Sequence, residues 1–171
     1  LNRLKPTALS SIHPGPAQAS KFSDSDLWKA FEGFLNVLGG RIISRDELNN
    51  LLALRCFIEL AAASILSISA VEDDIWDVAV GISLADLAIA ETGTLVCSAG
   101  EGKRRMSSLA PPVNVIVISQ KAIVATMVEA IPLISTATSI LVTGPSRTAD
   151  IEGILVKGVH GPGELLVYVY E

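Results

Sequence analysis

Residues 113–118 read Val-Asn-Val-Ile-Val-Ile, and this almost unbroken apolar run limits the fold more than any other feature of the chain. Successive side chains of a strand point to opposite faces, so a strand with one wet face alternates apolar and polar residues. A run without that alternation is covered on both faces, as in an inner strand of a parallel sheet. The rest of the sequence offers partners for it. Leu27, Phe31, Phe34, Leu35 and Leu38 recur at helical spacing and predict a helix near Asp24–Leu38, capped by Ser23 or Ser25 and stopped by Gly39-Gly40. Ser44-Arg45-Asp46-Glu47 fits a capping box that opens a helix with Leu48, Leu51, Leu52 and Cys56 on one face. Two more helices are expected, Gln120–Ile131 before Pro132 and Thr148–Lys157 before Gly158. Strands are expected at Arg41–Ile43, Ile65–Val71, Ala79–Ile82, Leu87–Ala90, Leu95–Ser98, Ser139–Thr143 and Leu165–Tyr170. This alternation predicts an α/β domain with a mostly parallel central sheet over residues 26–171, after an extended arm over residues 1–25 that carries Pro6, Pro14 and Pro16.

Composition narrows the function classes. The chain has 171 residues, 50% hydrophobic and 18% charged, enough apolar material for one sizeable core. Thirteen Lys and Arg against eighteen Asp and Glu give a net charge of −5, which argues against general nucleic-acid binding and against adhesion to anionic membranes. The longest apolar stretch, Phe57–Val71, is too short to span a bilayer and contains Glu59. Leu1–Lys5 lacks the charged start and apolar run of a secretory leader. Cys56 and Cys97 lie in apolar surroundings and read as buried thiols of a reducing, cytoplasmic compartment. Two cysteines cannot hold an iron–sulfur cluster alone, and the two His and scattered carboxylates show no metal-ligand spacing. Low charge with high hydropathy points to a covered surface, in a homo-oligomer or under a partner.

Four segments carry candidate chemistry. After the strand ending at Thr143, the turn Gly144-Pro145-Ser146-Arg147-Thr148 is expected to open a helix. Such a turn at the carboxyl edge of a sheet presents backbone N–H groups and a positive dipole end to an anion. Ser146 and Thr148 add hydroxyls and Arg147 a guanidinium fork; alternatively Ser or Thr caps the helix while Arg147 pairs with Asp150. Glu91-Thr92-Gly93-Thr94 places a carboxylate beside two hydroxyls, either as nucleophile or general base, or as an exposed bulge or turn. Gly100-Glu101-Gly102-Lys103-Arg104-Arg105 is a glycine-rich basic loop, solvated or folding over an anionic ligand, but neither a dinucleotide fingerprint nor a P-loop. His160, within Gly158-Val159-His160-Gly161-Pro162-Gly163, is either a proton shuttle or anion contact, or a structural turn residue.

Three phrases together carry a family resemblance: Ala85–Val96 (ADLAIAETGTLV), Thr143–Glu152 (TGPSRTADIE) and Gly158–Pro162 (GVHGP). Their order and spacing, with the Leu109-Ala110-Pro111-Pro112 turn, resemble the LUD domain found in lactate utilisation protein C, closely over Val80–Val169. The resemblance implies a three-layer α/β/α fold similar to the sugar-phosphate isomerase and CoA-transferase superfamily. It implies a part in oxidising L-lactate to pyruvate in bacteria, as the cluster-free member beside iron–sulfur partner proteins.

Three function classes follow: a subunit of that system binding an anionic metabolite or cofactor, a stand-alone acyl or CoA transferase or hydrolase with Glu91 as nucleophile, and a non-catalytic metabolite sensor. The site is expected to draw on Glu91 and His160, with Thr92, Gly93, Thr94, Gly144, Ser146, Arg147, Thr148 and Asp150 binding an organic acid or phosphorylated ligand. The turn at Gly144–Thr148 and the loop holding Glu91 are expected to meet at one sheet edge, with an apolar patch near them.

Overall fold

A computed structural model describes residues 23–71, 73–134, 138–150, 154–158 and 160–171. In chain order these form α1 (Asp24–Leu38), β1 (Arg41–Ile42), α2 (Arg45–Leu52), β2 (Cys56–Ile58), α3 (Leu60–Leu66), β3 (Val80–Leu84), β4 (Leu87–Ile89) and β5 (Thr94–Ser98). A 3-10 turn (Arg105–Ser108) and β6 (Val113–Ser119) follow, then β7 (Ile123–Val124), α4 (Met127–Ala130), β8 (Ser139–Val142), β9 (Arg147–Asp150), β10 (Ile154–Lys157) and β11 (Glu164–Tyr170).

The first helix follows its sequence signals. The Ser23 side chain accepts the Asp26 N–H, Asp24 and Asp26 occupy the positive first turn, and Gly39 closes the helix in the left-handed conformation. Ser44 and Glu47 make both bonds of the expected capping box at α2.

The central sheet runs β1-β11-β6-β3-β2, and every neighbouring pair is parallel. β6 sits in its middle, buried from Asn114 to Ile118 as its sequence requires. Ile116 and Ile118 face α1 and a second sheet, together with Phe31, Leu35 and Leu95. Val115 and Val117 face α2 and α3, together with Leu48, Ala62 and Leu66. Burying each such side chain contributes about 1.5–3 kcal/mol. The second sheet has the order β7-β4-β5-β8, antiparallel except where β7 joins β4. The layers are therefore α2 and α3, then the parallel sheet, then α1 with the second sheet.

Several expected elements differ. Cys56 opens β2 and does not belong to the preceding helix, which ends at Leu52. The expected strand over 65–71 does not form: α3 takes in Ile65 and Leu66, because Leu60-Ala61-Ala62-Ala63 favours helix and buries Ala62, Ala63 and Leu66 on one face, and beyond it Val71 makes a single bridge to Ile58. The expected helix over 120–131 is instead β7 followed by the four-residue α4. Its apolar periodicity is used differently: Ile123 adds to the core above the central sheet, while Val124 and Met127 pack beneath the second sheet. In place of the expected helix over 148–157, the described residues form the antiparallel strands β9 and β10, with Arg147 opposite Lys157. Gly153 weakens a helix there, and Ile154-Leu155-Val156 favours a strand.

Candidate functional site

Two of the motif turns build one cleft. The Ser146 N–H donates to the Pro162 carbonyl at 2.8 Å, and the Gly158 N–H donates to the Ser146 carbonyl at 3.0 Å. Gly161 lies so close that a Cβ there would stand 3.1 Å from the Ser146 Cβ. Beneath them is a cavity of about 180 Å³ whose polar lining includes Ser108, Asn114, Thr143, Ser146 and His160. Asn114 is buried; its amide donates to the Ser108 carbonyl at 3.2 Å and its oxygen accepts from Ser83 Oγ at 3.4 Å. Among the described residues no Lys, Arg, Asp or Glu lines this cleft, and His160 is its titratable side chain.

The cleft lies at the amino edge of the parallel sheet. Gly163 and Glu164, where β11 begins, both donate to Pro112, just before β6. The expected site at the carboxyl edge, with a helix dipole behind it, is thus corrected on both points: the turn after Thr143 leads into the strand β9. Without a helix after that turn, no macrodipole faces a ligand there.

Arg147 is placed by that same turn against the end of α1, where its guanidinium donates to the Leu38 carbonyl. The last turn of α1 has no basic residue of its own, so Arg147 supplies the cation that complements this carbonyl-rich end. The side chains of Thr148 and Asp150 lie outside the described residues.

Thr92, Gly93 and Thr94 adjoin the cleft through a hydroxyl chain. Thr92 Oγ1 donates to Thr94 Oγ1 at 2.8 Å, and Thr94 and Thr143 share a 2.8 Å hydrogen bond. Gly93 has φ +62°, and a Cβ there would lie 2.7 Å from the Leu35 backbone nitrogen, so the turn needs glycine both for its conformation and for the passage of α1. Glu91 takes a different direction. Its Oε1 accepts the Met127 N–H at 2.6 Å, and it lines a separate, mostly apolar hollow of about 310 Å³ with Asp26, Leu27 and Thr126. The two motif segments are neighbours, but the structure does not bring the Glu91 carboxylate into the cleft with Ser146 and His160.

The basic glycine-rich loop is a strap tied to the carboxyl ends of β2 and β3. The Gly102 carbonyl accepts the Ala61 N–H at the start of α3. Lys103 pairs with Asp86, whose other oxygen accepts the Ser98 N–H at 2.8 Å. Glu59, between β2 and α3, accepts the backbone N–H groups of Leu84 at 3.0 Å and Arg104 at 2.8 Å, and it bonds the Ser107 hydroxyl. Glu59 is only 4% exposed, and burial pushes its carboxyl above the usual glutamate range against those three hydrogen bonds and the Lys103 charge. Burial likewise raises both thiols, Cys97 to about 12, with the charge of Asp86 adding to the effect there. Sequence reasoning assigned no role to Glu59, Ser107, Ser108 or Asn114. Two of them carried a signal: Glu59 interrupts the apolar run after Phe57, and Asn114 interrupts the run in β6.

Among the described residues, no helix is long and apolar enough to cross a membrane. Residues 57–170 match the family model of the LUD domain. Lactate utilization protein C of Geobacillus sp. (strain WCH70) is 40% identical over 93 residues, which are 48% of this chain and 38% of that protein. The protein of the same name from Bacillus subtilis (strain 168) is 37% identical over 92 residues, 48% of this chain and 38% of that protein. The chain thus spans about two fifths of the length of these relatives. The crystal structure of a DUF162 family protein from Deinococcus radiodurans superposes with a TM-score of 0.68 at 22% identity, covering 86% of this chain and 98% of that one, so the two share a fold. The matched stretch takes in β2 to β11, with all three motif turns and the strap, and the chain therefore belongs to the LUD domain family.

Proposed function

We propose that this chain serves L-lactate oxidation as a cluster-free component that binds a small 2-hydroxy acid or its 2-oxo product in the cleft between the Gly144–Ser146 and His160–Pro162 turns. One observation carries the reading: two turns at either end of the β9–β10 pair close over a cavity of about 180 Å³ that is largely apolar, with a few hydroxyl, amide and imidazole groups and no Lys, Arg, Asp or Glu among its described lining residues. That is smaller than the roughly 300–1,000 Å³ of sites for drug-sized ligands, and it suits a metabolite of a few carbons. The relatives matched are named for lactate utilisation. Ser146, Thr143 and Asn114 offer hydrogen bonds to hydroxyl and carboxylate oxygens, and His160 offers a positive charge or a proton acceptor at the mouth.

Oxidising a 2-hydroxy acid to the 2-oxo acid releases two electrons and two protons. His160 can accept the hydroxyl proton and pass it to solvent, while the Cα hydrogen leaves with the electron pair to the redox partner. The two cysteines of this chain cannot hold a cluster, so the electrons pass to iron–sulfur partner proteins, and the assembly works in the cytoplasm. Calorimetric titration of the purified chain with L-lactate and pyruvate tests the binding role. Saturable binding that is lost in Ser146→Ala and His160→Ala, with dye reduction appearing only when the iron–sulfur partners are added, is the expected result. Absence of binding overturns the ligand assignment. Robust pyruvate formation by the isolated chain with artificial acceptors overturns the division of labour.

A further inference from the structure

Two acceptors face the single proton of the Ser107 hydroxyl. Ser107 Oγ lies within bonding reach of both the Glu59 Oε1 and the Arg104 carbonyl oxygen. A hydroxyl has one proton to give. The Arg104 carbonyl already accepts the Ser107 N–H at 3.0 Å. Were the hydroxyl proton given to a Glu59 carboxylate, Ser107 Oγ would face the Arg104 oxygen at 2.5 Å, lone pair against lone pair. With a proton on Glu59 every group is satisfied. Glu59 donates to Ser107, Ser107 donates to Arg104, and the Leu84 and Arg104 N–H groups fill the remaining acceptor sites of the carboxyl. We propose that Glu59 is a positioning residue that holds the strap, and with it the wall of the cleft, as a neutral carboxylic acid donating to Ser107.

The surroundings favour the neutral form. Ser107 is fully buried and Glu59 nearly so. The cation near them, Lys103, is ion-paired with Asp86. The Arg104 guanidinium lies over the ring of Phe57, on the exposed side of the strap. From β5 the titratable neighbour is Cys97, held as a thiol by its burial. Neither β3 nor α3 carries a titratable side chain, and Glu101 and Arg105 of the strap are exposed.

The latch reaches the cleft through one peptide unit. Ser108, next to Ser107, lines the cavity, and its carbonyl receives the Asn114 amide. The 3-10 turn is pressed onto β3, where a Cβ on Gly81 would come within 2.2 Å of the Ser107 carbonyl oxygen, so the wall has little room to shift while the latch is closed. Ionisation of Glu59 would draw the Ser107 hydroxyl away from Arg104 and loosen the end of this turn. The folded state then binds more protons than the unfolded chain between the ordinary glutamate pKa, about 4.3, and the raised value. Over that window stability falls as pH rises, and below it the group contributes no slope.

The ligand consequence rests on the function proposed above, whereas the protonation state is tested without any ligand. Infrared spectroscopy of the purified chain reads the carboxylic-acid carbonyl stretch directly. The expected band persists well above the ordinary glutamate range and is missing in Glu59→Gln, which stays neutral and can still donate to Ser107. Ser107→Ala separates the two directions of the bond: loss of the proton acceptor moves the band's disappearance to lower pH. Movement to higher pH, the outcome if Ser107 instead donates to a carboxylate, overturns the proposal, as does the absence of a Glu59 band. Melting temperature should decline with pH across the band's titration in the wild type and stay level in Glu59→Gln; parallel curves also overturn it. L-lactate affinity should weaken roughly tenfold in the wild type as the band disappears, equal to one unit of pKa coupling, and hold in Glu59→Gln. Failure of the wild type to bind L-lactate at any pH removes the proposed ligand, while the infrared result still decides the latch.

Discussion

Adding one methyl group at each of two glycines separates close packing from intrinsic backbone preference. Gly93 lies in the Thr92-Gly93-Thr94 turn with φ +62°, and a Cβ there would meet the Leu35 nitrogen at 2.7 Å and the Phe34 carbonyl carbon and Cβ at 3.1 Å. Two costs add for Gly93→Ala. A left-handed conformation costs an L-residue about 1–2 kcal/mol. Pressing a methyl against helix backbone costs about 1–3 kcal/mol more, because the contact atoms belong to α1 and cannot swing aside like a side-chain tip. The sum is roughly 2–5 kcal/mol. For a chain of this length each kcal/mol lowers the melting temperature by about 2–4 °C, so a loss of roughly 4–20 °C is expected. Gly33 lies within the same α1, exposed, and a Cβ added there would meet nothing within 4 Å. Gly33→Ala should stabilise by about 0.5–1 kcal/mol, since alanine is the better helix former and restricts the unfolded chain.

Thermal unfolding of both variants by circular dichroism, with calorimetry to establish that the transition is two-state, checks the pair. Opposite signs are expected. A Gly93→Ala melting temperature within about 1 °C of the wild type would refute the close approach of α1 to the turn. Destabilisation by Gly33→Ala would refute its placement on the exposed face of a regular helix.

Arg147→Lys should lower stability by about 0.3–1 kcal/mol through the end of α1 while leaving L-lactate affinity unchanged; calorimetric binding that falls with no change in melting temperature would restore Arg147 to the ligand. Glu91→Gln keeps an oxygen that can accept the Met127 N–H, so it should change stability by under about 1 kcal/mol and leave L-lactate binding intact. A mass shift on Glu91 after incubation with an acyl-CoA, abolished in that variant, would instead establish the nucleophile of a transferase.

Local signals are legible where the structure uses them locally. Ser23 and Gly39 bound α1, Ser44 and Glu47 cap α2, and the unbroken run in β6 is buried from both sides. The departures share a physical cause. Ile123, Val124, Met127 and Val128 fit a helical stripe, but β4 offers Ile123 and Val124 a sheet edge, and that tertiary pairing outweighs a spacing compatible with either structure. Residues 147–150 and 154–157 pair as β9 and β10, a pairing that no single-strand pattern announces. The cleft is half visible: Ser146 and His160 stand out as motif residues, while Asn114 and Ser108 reach it only through the packing of β6 and the 3-10 turn.

The placement of the cations decides what class of anion the cleft suits. A phosphate calls for a guanidinium fork, an ammonium, or the N–H groups of a helix start. Arg147 is taken up by the Leu38 carbonyl, Lys103 by Asp86, and Arg104 lies over Phe57, all outside the cleft lining. The turn after Thr143 leads into a strand, which has almost no net dipole to offer. A doubly charged phosphoester in that cavity would give up its hydration for hydroxyls, one amide and one imidazole, and burying an uncompensated charge is costly. A monocarboxylate with a neighbouring hydroxyl loses less: it carries a single charge, and Ser146, Thr143, Asn114 and His160 can complete its hydrogen bonds. Of the organic acid and phosphorylated ligands that the sequence leaves open, this balance favours the organic acid, and titration with lactate beside phospholactate should show the preference directly.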